Sequence, residues 1–213
     1  AVASLELPPA DPSDDPKLAA TIVQEEDKIP IDGAIDVALD ERGQVFVADK
    51  AGARVVIFDL KEGLAGRKTP RAALARFEMM SDLDQSKPTY LGPTGLACAG
   101  RFLYVAEPRG NRVLCYDTSR PDQPAVDVLG QCYGNDLTRP DFHKYGPNNG
   151  PDPYGFDFAD GVPAVSVTED GNWLLAADAI GGRLLFFPLN SQGLPLDHSA
   201  RLSVGQVEVV EAG

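Results

Sequence analysis

Three segments of the chain repeat one pattern, and this repetition restricts the fold more than any other feature of the sequence. Residues 35–60, 93–117 and 162–188 each contain an apolar strand, a turn, a second strand ending on an acid, four residues, an arginine and a third strand. The acid–arginine pairs are Asp49 and Arg54, Glu107 and Arg112, and Asp178 and Arg183. Recurrence of one supersecondary unit predicts a repeat architecture.

A fourth candidate strand follows each repeat, after a connector rich in turn-forming residues. These candidates are residues 71–79, 125–131 and 200–206. A short helix is the alternative for the first of them, because its apolar residues also have helical spacing, but its place in the repeat favours a strand. Four short strands per repeat predict four-stranded antiparallel sheets in an all-β chain.

The N-terminus resembles the last half of a repeat. Residues 4–24 contain a strand, a proline-rich link and a second strand that ends on glutamine, in the same order as residues 184–206. We therefore predict one domain over residues 1–213, made of about three and a half repeats. Their boundaries are predicted at residues 1–24, 35–79, 93–131 and 162–206.

The acid–arginine pairs have a structural interpretation. Two residues that flank a four-residue loop face each other across a β-hairpin, where opposite charges contribute roughly 0.2–1 kcal/mol. The three loops, KAGA, PRGN and AIGG, all contain glycine, which we expect to supply the positive φ angle of a tight turn. A catalytic role would require one pair to differ clearly from the others. We therefore predict that all three pairs stabilise hairpins.

The strand–turn–strand cores resemble NHL repeats, whose pattern runs approximately lyVaDtgNnRvlvf. Residues 45–58 and 103–116 match this pattern closely, and residues 174–187 match it with small changes. The chain departs from the pattern at Glu107, where the family has aspartate, and it lacks the usual asparagine in the first and third loops. The resemblance implies a β-propeller, commonly six-bladed in this family, in which each repeat forms one blade.

Three and a half blades do not close a propeller ring. The resemblance therefore implies that a protein partner, self-association or further blades of a longer protein complete the propeller, because bare sheet edges favour aggregation. Similarity to exported bacterial propellers of this type also implies an extracellular or periplasmic location.

The charge and the cysteine count restrict partners and cross-links. With 32 acidic residues against 19 lysines and arginines, the formal net charge is −13, which disfavours binding to nucleic acid and to anionic lipid. No run approaches the ~20 consecutive apolar residues of a membrane-spanning helix.

The three cysteines are an odd number, and we expect Cys98 and Cys115 to be thiols because a strand separates them.

The connector at residues 132–161 is the strongest candidate for a binding surface. Loops of about 30 residues are often functional, and in a four-stranded blade this connector lies at the same end as the acid–arginine hairpins. Two interpretations are open for its aromatic residues: structural cover over the propeller face, and contact with a ligand or partner. The residues predicted to bind at this face are Tyr90, Tyr133, Arg139, Asp141, Phe142, His143, Tyr145 and Tyr154.

Enzymatic function is the alternative interpretation. The sequence contains no GxSxG elbow, no HExxH motif and no glycine-rich phosphate loop. The acidic and amide side chains of the connector are candidate ligands for calcium, and Asp157 and Asp160 are candidates for acid–base chemistry. We expect a non-enzymatic scaffold or interaction module without metal or cofactor. The alternative is a propeller hydrolase or lyase with acidic residues at the central channel.

Overall fold

The computed structural model describes residues 4–6, 19–21, 31, 33–59, 72–74, 92–120, 125–133, 136–140, 153–158 and 164–205. Within these ranges the chain is built of strands and turns, with one short 3-10 turn at Pro108–Gly110. In chain order the strands are β1 (Ser4–Glu6), β2 (Ala19–Thr21), β3 (Ala34–Leu39), β4 (Gln44–Asp49), β5 (Arg54–Asp59), β6 (Ala72–Leu74), β7 (Gly95–Ala99), β8 (Phe102–Glu107), β9 (Arg112–Asp117), β10 (Asp127–Leu129), β11 (Cys132–Tyr133), β12 (Asp136–Pro140), β13 (Val165–Val167), β14 (Trp173–Asp178), β15 (Arg183–Pro188) and β16 (Leu202–Gly205). No helix in the described ranges has the length and apolar character needed to cross a membrane.

Three four-stranded antiparallel sheets contain most of these strands. Each sheet takes its strands in sequence order, and we name β3–β4–β5–β6 blade 1, β7–β8–β9–β10 blade 2 and β13–β14–β15–β16 blade 3. Two small sheets, β1–β2 and β11–β12, lie near the N-terminus and in the connector between blades 2 and 3. The predicted all-β architecture with four strands per repeat is confirmed.

The fourth strands lie where the repeats predict them. β6, β10 and β16 each pair with the third strand of their own blade. The helical alternative is wrong for Ala72–Leu74, which forms β6, whereas residues 75–80 lie outside the described residues. β1 pairs with β2, but the assignment of residues 1–24 to a further blade, like the other repeat boundaries, stays a prediction.

Several strands are apolar at successive positions, and because successive side chains point to opposite faces of a sheet, both faces of a blade are apolar. Between blades 1 and 2, Phe46 and Ile57 belong to one buried cluster with Leu103. Between blades 2 and 3, Tyr104 belongs to a second cluster with Phe187. Burying a side chain of this size stabilises the fold by about 1.5–3 kcal/mol, so face-to-face packing of the blades is the main source of stability.

The blades stack with their first strands together. β7 of blade 2 contacts both β3 of blade 1 and β13 of blade 3. Four-stranded antiparallel sheets that stack face to face around a shared inner edge are the architecture of a β-propeller. The described blades therefore form part of a propeller ring.

The cysteines of blade 2 lie on β7 and β9, on either side of β8. Cys98 and Cys115 are both free thiols, as predicted. Burial raises the pKa of Cys98 to about 12 and raises that of Cys115 as well. Because the thiolate is the reactive form of cysteine, these residues act as small apolar side chains rather than as nucleophiles.

Candidate functional site

The acid–arginine pairs close the central hairpin of each blade. Asp49 faces Arg54, Glu107 faces Arg112 and Asp178 faces Arg183 across the ladder. In each pair the arginine Nε donates to one carboxylate oxygen, at 2.9, 2.6 and 2.8 Å respectively. The predicted four-residue hairpin loops and the facing of the charges are confirmed.

The role that we expected for the loop glycines is wrong in two of the three loops. The positive φ angle belongs to the last loop residue, which is Ala53 (49°), Asn111 (47°) or Gly182 (63°). The preceding glycine provides space instead. A Cβ added at Gly52 would lie 2.3 Å from Asp49 Oδ2, and one added at Gly181 would lie 2.4 Å from Asp178 Oδ2. These glycines therefore let the carboxylate fold back over the turn.

In the first and third hairpins the second carboxylate oxygen binds the segment that enters the same blade. Asp49 Oδ1 accepts hydrogen bonds from the backbone N–H of Gly33 at 3.0 Å and of Gly52 at 3.2 Å. Asp178 Oδ1 accepts one from the N–H of Asp157 at 2.9 Å. Each aspartate therefore fastens both its own turn and the incoming chain, which gives the repeated acid a structural role.

Glu107 differs from the two aspartates. Its Oε2 accepts from Arg112, but its fully buried Oε1 has no hydrogen-bond partner among the described residues. Burial outweighs the opposing attraction of Arg112 and raises the pKa of Glu107 from 4.5 to about 7. The sequence marked Glu107 as a departure from the family pattern, but it did not predict the unpaired oxygen. Because the side chain is buried, it is not open to a substrate.

The stability contribution of Glu107 is expected to fall as the pH rises from 5 to 8. The native state holds this proton more tightly than the unfolded chain does. The contribution is therefore complete below a pH of about 4.5 and is lost as the pH passes about 7. Over the whole window the loss is on the order of 3 kcal/mol. The measurement is urea unfolding at pH 5 and pH 8 of the wild type and of Glu107→Gln. The same pH dependence of the unfolding free energy in both proteins would contradict this prediction.

The connector between blades 2 and 3 begins at the hairpin turn of blade 2. Gln131 Nε2 donates to the carbonyl oxygens of Gly110 at 2.8 Å and Asn111 at 3.1 Å. The end of the connector returns to the same place, because Gly155 pairs with Gly130 in a parallel bridge and Phe158 N–H donates to the side chain of Asn111. Both ends of the connector therefore lie at the hairpin end of the blades, as the four-stranded blade pattern predicted.

Aromatic packing fixes the end of the connector. Phe156 and Phe158 are fully buried and stacked, with ring centroids 4.5 Å apart, and Phe156 meets Phe187 of β15 edge to face at 5.8 Å. Arg183 Nη2 also donates to the carbonyl oxygen of Gly155 at 2.8 Å. For these two phenylalanines the structural interpretation of the connector aromatics is correct.

The structure describes few of the predicted binding residues. Tyr133 lies on β11 and Arg139 on β12, which pair with each other inside the connector, and Tyr154 lies half-buried in a turn. The remaining predicted residues, Tyr90, Asp141, Phe142, His143 and Tyr145, lie outside the described residues. A shared binding surface for this set stays a prediction.

In the described part of the chain, no group of three or more His, Cys, Asp or Glu side chains is placed to hold a metal ion. Of the two acids considered for acid–base chemistry, Asp157 is half-buried and Asp160 lies outside the described residues.

The outer faces of the blade stack carry exposed apolar side chains that were not predicted from the sequence. On β3, the alternating residues Ile35, Val37 and Leu39 are exposed, and on β16, Leu202 and Val204 are exposed. Alternation places Val37 with Leu39 on one face of blade 1, and Leu202 with Val204 on one face of blade 3. Ile35 lies at a register shift between Ala34 and Asp36. The alternating apolar residues of β3 are a signal in the sequence, but alternation alone does not distinguish an exposed apolar face from a buried one.

No protein-family model and no curated protein sequence matches the chain. Solved structures with a similar arrangement include hydrazine synthase from Kuenenia stuttgartiensis (13% identity, 82% of this chain and 36% of that chain, TM-score 0.49). A functionally unknown protein from Desulfotomaculum acetoxidans has 16% identity over 84% of this chain and 44% of that chain, with a TM-score of 0.45. A chain of the mitotic checkpoint complex has 12% identity over 81% of this chain and 37% of that chain, with a TM-score of 0.40. The chain thus spans less than half of the length of each of these chains.

Proposed function

We propose that the chain is an NHL-like propeller module without enzymatic activity that binds a protein or another ligand through its loop face. The loop face is the hairpin end of the blades together with residues 132–161. The observation that carries this proposal is the double anchoring of that connector: Gln131 at its start and Gly155–Phe158 at its end are tied to the hairpins of blades 2 and 3. Rigid blades that hold both ends of a long aromatic loop are a suitable scaffold for recognition.

A protein partner or self-association that completes the propeller is part of the same proposal. The exposed apolar residues of β3 and β16 support it, because apolar patches on the surface mark sites of protein contact. By analogy with exported bacterial propellers we also propose an extracellular or periplasmic location, which cell fractionation tests.

The loop-face proposal is tested by a double variant, Phe142→Ala with Tyr145→Ala. Tagged wild type and variant are used to capture partners from cells of the source organism, with quantitative mass spectrometry of what is retained. We expect recovery of the partner to fall at least tenfold in the double variant, because aromatic residues dominate binding energy at interfaces.

Leu196→Ala is the matched control. Leu196 is 61% exposed and lies between β15 and β16, at the opposite end of blade 3 from its hairpin. Its variant is expected to retain the partner at the wild-type level. Equal recovery by all three proteins, or loss with Leu196→Ala alone, would overturn the loop-face proposal.

A further inference from the structure

The hairpin turn of blade 2 holds both ends of the connector. Gln131 Nε2, at the start of the connector, donates to the carbonyl oxygens of Gly110 and Asn111. Near the end of the connector, the N–H of Phe158 donates to Asn111 Oδ1. Asn111 has a φ of 47°, a left-handed conformation that costs free energy in residues other than glycine. A movement of this one turn therefore changes both attachments at once.

In the hairpins of blades 1 and 3, the turn is fastened to the carboxylate. The third loop residue donates its N–H to the acid, Gly52 to Asp49 Oδ1 at 3.2 Å and Gly181 to Asp178 Oδ1 at 3.4 Å. A Cβ added at Gly52 or Gly181 would lie 2.3 or 2.4 Å from a carboxylate oxygen of the same acid. These two turns therefore lie directly over their aspartates.

The turn of blade 2 lies on the arginine instead. A Cβ added at Gly110 would lie 2.9 Å from Arg112 Nε and 3.0 Å from Arg112 Cγ. Residues Pro108–Gly110 form a 3-10 turn, and the buried Oε1 of Glu107 has no hydrogen-bond partner among the described residues. The fastening of turn to carboxylate that the other two hairpins share is therefore missing here.

The cost of this arrangement depends on the charge of Glu107. A buried oxygen without a donor is far less costly on a neutral carboxyl group than on a carboxylate, because a buried charge loses its hydration. Burial raises the pKa of Glu107 from 4.5 to about 7, against the attraction of Arg112. The side chain is therefore protonated in mildly acidic solution, and above pH 7 its Oε1 becomes part of a charged group that needs a donor.

The other ionisable groups around Glu107 do not supply that donor. On β9, Arg112 donates through Nε to Oε2, and Tyr116 stays neutral because burial raises its pKa well above the ordinary value. The residues that blade 1 contributes to the cluster containing Tyr116 are all apolar. Lys50, in the loop of blade 1 beside Gly92, is exposed to solvent.

We propose that Glu107 is a proton-operated switch that controls how firmly the connector is attached to the blades. With the proton bound, the turn keeps the position described above and holds both ends of the connector. When the proton passes to solvent, the N–H of Gly110 turns to Oε1, as the equivalent N–H does in the hairpins of blades 1 and 3. Asn111 moves with the turn, and the connector is released.

This inference deepens the proposed function and rests on it in one respect, because it takes the connector to be the binding element of the loop face. A ligand or partner that needs the connector in its attached position is bound more weakly above neutral pH.

Amide hydrogen exchange of the free protein, followed by NMR at pH 5.5 and pH 8.5, tests the switch. After correction for the intrinsic pH dependence of exchange, the protection of the Phe158 N–H is expected to fall by about tenfold or more at the higher pH. The N–H of Gly33, which is bound to Asp49 in blade 1, is the internal control and is expected to change much less. The midpoint of the change is expected to coincide with the titration of the Glu107 carboxyl carbon signal, near pH 7.

Two variants assign the effect to Glu107. Glu107→Gln, which is neutral and of the same shape, is expected to keep the high protection of Phe158 at both pH values. Glu41→Gln, at an exposed acid in the turn between β3 and β4, is the matched control that retains the wild-type pH dependence. Equal protection of Phe158 at the two pH values in the wild type, or the same fall in Glu107→Gln, would overturn the switch.

The exchange measurements use the protein without a partner, so the two proposals fail separately. Undiminished partner capture by the Phe142→Ala, Tyr145→Ala variant counts against the loop-face proposal and leaves the switch standing. A pH-independent Phe158 N–H counts against the switch and leaves the loop-face proposal standing.

Discussion

Phe156→Ala is expected to lower the free energy of unfolding by about 3–5 kcal/mol, the range for removal of a fully buried aromatic side chain. Phe156 stacks on Phe158 and meets the edge of Phe187, so its ring links the connector to blade 3. Its removal leaves a cavity between two elements that other contacts hold in place, among them the hydrogen bonds of Gly155 and Asp157 to the blade 3 hairpin. The surroundings therefore cannot collapse to fill it.

The measurement for Phe156→Ala is urea unfolding followed by circular dichroism and by fluorescence of the single tryptophan. Leu196→Ala is the control, because truncation of an exposed side chain changes stability by less than about 0.5 kcal/mol. A loss below about 1 kcal/mol in Phe156→Ala would show that the connector does not form part of the core.

Gly130→Ala is expected to cost about 2–4 kcal/mol, for two reasons that act together. The residue has a φ of 91°, which side chains other than glycine rarely adopt. An added Cβ would also lie 2.2 Å from Phe156 Cδ2 and 2.8 Å from the carbonyl oxygen of Asn111. Because the second contact is with backbone, no change of rotamer relieves it.

Gly171→Ala separates the cost of backbone strain from the cost of steric contact. Gly171 has a φ of 71°, but an added Cβ there meets no atom within 4 Å, so only the backbone strain of about 1 kcal/mol applies. In a Phe156→Ala background, Gly130→Ala is expected to cost less than it does in the wild type, because the ring it would strike is gone. Equal unfolding energies for Gly130→Ala and Gly171→Ala would contradict this account.

The strands and hairpins could be predicted from the sequence because their signals are local. Alternating apolar residues and turn-forming residues place β4 and β5, and the five-residue offset between Asp49 and Arg54 sets their register. The recurrence of that offset in all three repeats indicated a repeat architecture. The candidate strand after each repeat then predicted four-stranded blades.

The environment of each repeated residue could not be predicted in this way. Asp49 and Glu107 occupy the same position, yet the second oxygen of Asp49 accepts two backbone hydrogen bonds and that of Glu107 accepts none among the described residues. One of the two donors to Asp49 is Gly33, which is 16 residues away along the chain, so no local pattern marks the contact. The use of Gly52 for space rather than for a positive φ has a similar origin, because it depends on where the carboxylate lies.

The sequence by itself determined the repeat, the strand order within each blade and the pairing of charges across each hairpin, because all of these depend on residues close along the chain. Only the tertiary structure decided that Phe156 belongs to the core and that Val37 is open while Leu96 is buried. An apolar side chain on either face of a sheet has the same local pattern. Whether it is covered depends on the presence of a neighbouring blade, which no local signal encodes.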